Sequence, residues 1–247
     1  FNDPELQTGG RFYGGWWQNI PREFRQFLAV NGKQMVELDY SNQHPSILYA
    51  QASVVRPADC YSGVIKPPLI QDRVATTDLR DMVKAAFNAM LNSPKPLRQA
   101  PAGVKPSKFG LKWAEVSEAI IAFHEPIAHH FYTGVGLKLQ RLDSDIAEKV
   151  LLHFAKSQIA ILPLHDSFLM HHGYETSLEP VMRSAFEEIV GKSPIIDRKE
   201  AEKDGISTVD EDDPFGPMTT DDLDELLADL DVGYEHRLRA FRALQSA

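Results

Sequence analysis

The sequence predicts an α+β fold built on an antiparallel sheet. Three features predict it. "QMVELDY" (34–40) reads as a strand ending in a carboxylate, and "QIAILPLHDSFLMHHG" (158–173) reads as two strands joined at a tight turn around His165-Asp166. Helical patterns separate and follow these strands without the regular alternation that a parallel sheet with crossover helices requires.

In chain order, residues 1–35 begin loop-like ("TGGRFYGGWWQNIP") and continue as a short amphipathic stretch, "REFRQFLAV". After the 34–40 strand a helix is expected over 44–53, with Pro45 in its first turn, where a missing N–H costs nothing. A Pro- and Gly-containing loop covers 56–70. The spacing of Leu79, Met82, Val83, Ala86 and Met90 predicts a helix that stops at Pro94. Residues 94–107 are a Pro-rich basic loop, and helical patterns return over 113–131 and 143–157. "SLEPVMRSAFEEIVGK" is an amphipathic helix closed by Gly191. From residue 200 the chain becomes acidic, and Leu223, Leu226, Leu227 and Leu230 share one face of a short helix expected over 219–231.

The net charge of −9 hides a division. Residues 1–200 are balanced, so the whole excess lies in 201–247, while 56–112 is a net-basic segment. A basic module on a neutral body suits a polyanionic ligand, and a solvated lysine-rich surface explains the same charges. Cys60 is the single cysteine, which excludes an internal disulfide and fits a reducing compartment; the expected location is cytoplasmic. No apolar run is long enough for a membrane span, so no membrane partner is expected.

Asp39 closes one strand and Asp166 sits at a hairpin tip. If those strands pair, two carboxylates meet on one sheet edge, which is costly without a cation between them. Hard divalent ions with oxygen ligands fill that role, and Mg²⁺ commonly combines one or two carboxylates with substrate phosphates. By spacing alone, two ordinary turn aspartates are the simpler explanation of the pattern.

A set of motifs in fixed order adds to this. "TGGRFYGGWWQNIP" resembles the "TGR…QNIP" element of A-family (DNA polymerase I-like) polymerases, and "VELDYSNQHPSILYA" resembles their motif A. "RDMVKAAFNAMLNS" has the Arg-x3-Lys start of their fingers helix, "QRLDSDI" is similar to their Q-x4-D helix start, and "LPLHDSF" resembles their motif C. The resemblance covers about residues 8–195. It implies a right-hand polymerase palm with a reduced, mainly helical fingers region and a thumb that is absent or lies upstream of Phe1. The implied division is palm over 1–55, basic fingers over 56–112, palm again over 113–199 and an acidic C-terminal tail over 200–247.

The resemblance also implies roles. Asp39 and Asp166 are the catalytic pair, holding two Mg²⁺ ions, with Mn²⁺ a substitute. Arg80 and Lys84, one helical turn apart, face the triphosphate of a nucleoside triphosphate, and His44, Asn92 and Tyr40 complete the nucleotide site. Arg11, Gln18, Asn19, Gln140 and His165 contact the primer–template duplex. The expected activity is that of a DNA-directed DNA polymerase, a nucleotidyltransferase.

Departures from the pattern bear on substrate. His44 stands where the family usually has a glutamate that excludes a ribose 2′-OH, and Asn92 stands where it has a tyrosine. "HDSF" is closer to phage-type single-subunit RNA polymerases. An RNA polymerase or primase, a template-independent terminal transferase and a non-catalytic nucleic-acid-binding subunit are therefore kept as alternatives. The acidic tail is read as a solubilising segment, a protein-docking segment or a self-docking mimic of the duplex.

Other motifs are set aside. "HEPIAHH" lacks the histidine that a zinc-protease helix needs at 128, which is Ala128, so His124, His129 and His130 are expected to be partly buried helix residues. His171 and His172 are expected at the surface, and Trp16 and Trp17 in the core.

Overall fold

The computed structural model describes Glu5 and residues 7–30, 32–66, 76–199 and 234–245. The helix expected over 219–231 and most of the acidic tail lie outside the described residues. The fold is α+β. Its strands are β1 (Ala29–Val30), β2 (Lys33–Tyr40), β3 (Ile161–Leu164), β4 (Ser167–His171) and β5 (Ile196–Lys199). Its helices are α1 (Gln43–Gln51), α2 (Thr76–Asn92), α3 (Trp113–Phe123), α4 (Gly136–Lys156), α5 (Glu175–Val190) and α6 (Tyr234–Gln245). Short 3₁₀ turns cover Trp16–Asn19, Arg22–Phe27, Pro106–Phe109 and Glu125–His130. No helix among the described residues is long and apolar enough to cross a membrane.

The chain forms two compact units. One draws its described residues from 1–11, 40–148 and 184–195, the other from 12–39, 149–183 and 196–247.

The second unit carries the sheet, in the order β1-β2-β4-β3, with β5 also paired to β2. β2 and β4 run antiparallel, with Met35 opposite His171, Glu37 opposite Leu169 and Asp39 opposite Ser167. Side chains alternate between faces along a strand. Met35, Leu164 and Leu169 therefore form a core on one face, with Trp17, Leu28, Val30 and Leu162 packed against it. Val36, Leu38, Phe168 and Met170 are buried on the other.

α6 belongs to this unit and was not expected. Leu238 is buried, and the Phe241 ring meets His171 at 5.3 Å and Tyr174 at 5.1 Å, with Lys33 Nζ 3.6 Å above it. Arg242 pairs with Glu175. A Cβ on Gly173 would lie 2.6 Å from Phe241 Cδ1, so only glycine leaves room for this ring. His171 is consequently buried between aromatic rings, correcting its expected surface position.

The first unit is helical. α2 buries Leu79, Met82, Val83, Ala86, Phe87 and Met90, the face that their spacing predicts. His124 is fully buried: its Nε2 donates to Cys60 O at 2.8 Å, so Nδ1 accepts from the Tyr49 hydroxyl at 3.0 Å. Phe87 and Phe123 pack against its ring at 4.9 and 5.0 Å, and burial pushes its pKa down. His124 was expected to be a partly buried helix residue and is instead fully enclosed at the end of α3. α4 starts at Gly136, seven residues before the predicted 143. A Cβ on Gly136 would sit 2.0 Å from Asn92 Oδ1, which is why glycine opens this helix.

Candidate active site

β2 and the β3–β4 hairpin position the two predicted aspartates. Val36 and Leu38 commit one face of β2 to the core, which turns Glu37 and Asp39 to the other. Leu164 pairs with Ser167, leaving His165 and Asp166 as a two-residue turn. Asp166 thus directly precedes Ser167, the register partner of Asp39. His165 adopts φ 63°, a left-handed value that glycine normally supplies at the first central position of such a turn. Its ring meets Tyr13 edge-on at 5.2 Å.

The Asp39 carboxyl sits among opposing influences. The Asp39 carboxyl is pushed up to about 6, first by burial and then by the charge of Asp166, with Glu37 adding a smaller push. Lys199 opposes them: its Nζ lies 2.5 Å from Asp39 Oδ2. Glu37 is engaged elsewhere, accepting from Ser167 Oγ at 2.8 Å and lying 3.8 Å from Arg25 Nη1. Among the described residues no cluster of three or more His, Cys, Asp or Glu is arranged to hold a metal. The candidate donors are the two predicted aspartates, Asp39 and Asp166. Two hard oxygen donors, already partly balanced by a side-chain cation, fit a divalent ion whose remaining ligands come from water or substrate.

The 12–20 loop is braced against the hairpin. Gln18 Nε2 donates to Phe12 O at 2.8 Å and Pro163 O at 3.1 Å, and Trp17 Nε1 donates to Pro163 O at 2.9 Å. Gln18 thus spends its amide on organising the loop, whereas Asn19 is exposed. The adjacent tryptophans part company: Trp17 packs into the core, and Trp16 is 62% exposed, against expectation.

The remaining predicted residues lie in the first unit. Arg80 and Lys84 share α2. Arg80 Nε donates to Asp59 Oδ2 at 2.9 Å and its guanidinium lies 5.4 Å from the Tyr61 ring; Lys84 is exposed. Burial works to raise the Asp59 pKa, but hydrogen bonds from Arg80, the Tyr61 and Ser62 amides and the Ser62 hydroxyl hold it well below the usual carboxylate range. Arg11 and His44 converge on Asp143 Oδ2, at 2.5 and 2.8 Å, and the Asp143 side chain is 1% exposed. Asn92 ends α2, its amide donating to Asn88 O at 2.8 Å. Gln140 is half-buried on α4. Tyr40 is buried, 5.4 Å from the Phe186 ring, and burial pushes its hydroxyl pKa far up, so it is placed as an anchor of the strand end.

No protein-family model and no curated protein matches the chain. Among solved structures it is similar to the POL domain of Pol1 from M. smegmatis, in complex with DNA primer-template and dNTP, at 15% identity and a TM-score of 0.45. That likeness covers 73% of this chain and 43% of the other.

Lys199, Glu37, Asp59 and Asp143 were missed by sequence reasoning. Lys199 and Asp59 lie outside any motif, Glu37 and Asp143 lie inside motif stretches at positions to which no role was given, and only the register or helix packing shows their partners.

Proposed function

We propose that the chain is a template-directed nucleic-acid polymerase that adds nucleotides to a primer 3′-hydroxyl. One observation carries this reading: the β2–β4 register brings Asp39 beside the Asp166 turn, where burial and the Asp166 charge push the Asp39 carboxyl up. The ordered motifs supply the rest. A divalent cation held by Asp39 and Asp166 would lower the pKa of an attacking hydroxyl and offset charge on the departing pyrophosphate. In the reaction the 3′-oxygen bonds to the α-phosphorus, the bond to the β-phosphate bridging oxygen breaks, and the hydroxyl proton leaves to solvent.

The protein's own residues bind and orient. Arg80 and Lys84, one turn apart on α2, take the triphosphate, with Asp59 holding Arg80 in one rotamer. Arg11, Gln140, Asn19 and the Gln18-braced loop meet the duplex. His165 stands beside the primer end, and His44 and Asn92 line the nucleotide.

The product follows from one assay: extension of a primed DNA template with Mg²⁺, comparing dNTPs with rNTPs, alongside Asp39→Asn and Asp166→Asn. The expected result is dNTP extension by the wild type, reduced at least about a thousandfold in either variant. Extension with rNTPs alone would assign an RNA polymerase. Extension of a single strand without template would assign a terminal transferase, and template binding without extension a non-catalytic subunit.

A further inference from the structure

We propose that Lys199 is a built-in competitor for the divalent cation at Asp39, so that a cation must displace its ammonium to enter. This rests on reading Asp39 and Asp166 as a cation site. Lys199 Nζ lies 2.5 Å from Asp39 Oδ2, and the two side chains are 34% and 15% exposed. The carboxylate is thus shielded while the lysine keeps a path to water. An ammonium on a flexible stem neutralises one carboxylate as a point charge and can swing away. An ammonium and a divalent ion on the same carboxylate oxygen repel each other strongly at such separations.

The strand that delivers Lys199 suits the role. β5 has four residues and, among the described residues, hydrogen-bonds only to β2. Its neighbouring cation, Arg198, is committed elsewhere, with Nη2 2.9 Å from His172 Nε2. Alternation along the strand therefore sends one basic side chain to His172 and the next to Asp39. A short edge strand with one polar anchor belongs to the part of a sheet that opens most easily. The metal-free protein is charge-compensated at Asp39 by its own chain, and Lys199 raises the free cation concentration the site needs.

The test is Mn²⁺ binding, followed by the EPR signal of the free ion, to the full chain without nucleotide or nucleic acid. Wild type, Lys199→Gln, Lys199→Arg and Asp39→Asn are compared, with circular dichroism confirming that each is folded. Lys199→Gln is expected to bind Mn²⁺ at least about tenfold more tightly than wild type. Lys199→Arg, which keeps the charge, should stay within about threefold, and Asp39→Asn should lose the site. Affinity of Lys199→Gln equal to or weaker than wild type overturns the competitor role and leaves the polymerase reading standing. Absence of Mn²⁺ binding by both wild type and Lys199→Gln overturns the cation site and the competitor together. Tighter binding by Lys199→Gln in a protein that extends no primer supports the competitor role and overturns the polymerase reading.

Discussion

Ser167 Oγ donates to Glu37 Oε1 at 2.8 Å, a diagonal pair across the β2–β4 ladder one register step from Asp39. Ser167 is the register partner of Asp39, so this bond keeps Glu37 near enough for its charge to add to the upward push on the Asp39 carboxyl. Arg25, 3.8 Å from Glu37, secures it from a further side. Asp39 therefore feels two neighbouring carboxylates, Asp166 and Glu37, while Lys199 pairs with Asp39, and Ser167 and Arg25 hold Glu37.

Replacing Ser167 with alanine leaves a largely buried carboxylate facing only the more distant Arg25 among the described residues. A lost hydrogen bond to a charged group costs about 1.5–3 kcal/mol, and urea unfolding of Ser167→Ala should show a loss in that range. Primer extension should fall only modestly, because Asp39 and Asp166 remain. A loss as deep as that of Asp39→Asn would place Ser167 in the catalytic set.

Asp39 should make the fold less stable at neutral pH. Its folded pKa is raised from 3.8 to about 6, so its contribution to stability is full below 3.8 and is lost as pH rises through 6. Asparagine cannot ionise and escapes this penalty, while leaving Lys199 without its carboxylate. In metal-free buffer at pH 8, Asp39→Asn should be more stable than wild type by up to about 3 kcal/mol, the free energy of a pKa raised from 3.8 to about 6 with Lys199 already opposing the rise. The gap should close by pH 4. Chemical denaturation at the two pH values reads it directly, and a variant less stable at pH 8 contradicts the electrostatic account.

His165 carries backbone strain at the hairpin tip, since φ 63° disfavours a β-carbon. His165→Val should lose about 1–2 kcal/mol, because a β-branched residue tolerates the left-handed region least. His165→Gly should unfold within about 0.5 kcal/mol of wild type, since relief of strain offsets the extra freedom of the unfolded chain. Both should slow extension, as each removes the ring that packs on Tyr13. Full activity in the stable glycine variant would remove His165 from the site.

The parts of this protein that repeat were legible in its sequence, and the parts made by single contacts were not. β2 and the hairpin show as apolar runs ending at a carboxylate and a two-residue turn, so Asp39 and Asp166 could be placed from spacing. The buried face of α2 follows from residues three and four apart. Lys199 could not be placed, because a four-residue strand has too little pattern and nothing in "IIDRKE" says which neighbour it joins. Nor could α6, whose buried Leu238 and half-buried Phe241 sit three residues apart among charges. The start of α4 was misplaced because Gly136 answers to Asn92, distant in sequence. Trp16 and Trp17 are chemically identical neighbours, and only the partner of one indole N–H separates them.

Asp143 joins two predicted nucleic-acid and nucleotide contacts, Arg11 and His44, on one buried oxygen; its other oxygen, Oδ1, has no hydrogen-bond partner among the described residues. Removing the carboxylate leaves Arg11 and His44 3.4 Å apart without the anion between them. Breaking such a pair costs about 3 kcal/mol, the expected destabilisation of Asp143→Ala. Asp143→Asn should cost less and, if Arg11 meets the duplex, should raise the Kd for primed template more than it lowers the maximal rate. Filter binding and extension kinetics on the same preparation separate the two effects; unchanged Kd with a folded protein assigns Asp143 to structure alone.

His124 gives a pH dependence opposite to that of Asp39. Its folded pKa is depressed below 6.5 by burial, so the unfolded chain takes up a proton that the folded chain refuses. Stability from this group is full above 6.5 and is lost as pH falls through the folded pKa. His124→Phe keeps the ring but leaves the Tyr49 hydroxyl and Cys60 carbonyl without this partner. At pH 8 it should unfold about 2–4 kcal/mol more easily than wild type. Below pH 6.5 the gap should narrow, because phenylalanine binds no proton in either state and wild type alone loses stability through this position. Denaturation midpoints of both proteins at pH 8 and pH 5 check it, with Asp39→Asn as the background that removes the opposing slope. A constant gap between the two pH values would mean that His124 is charged in the fold, and that the Tyr49–His124–Cys60 chain of hydrogen bonds runs with different donors from those assigned here.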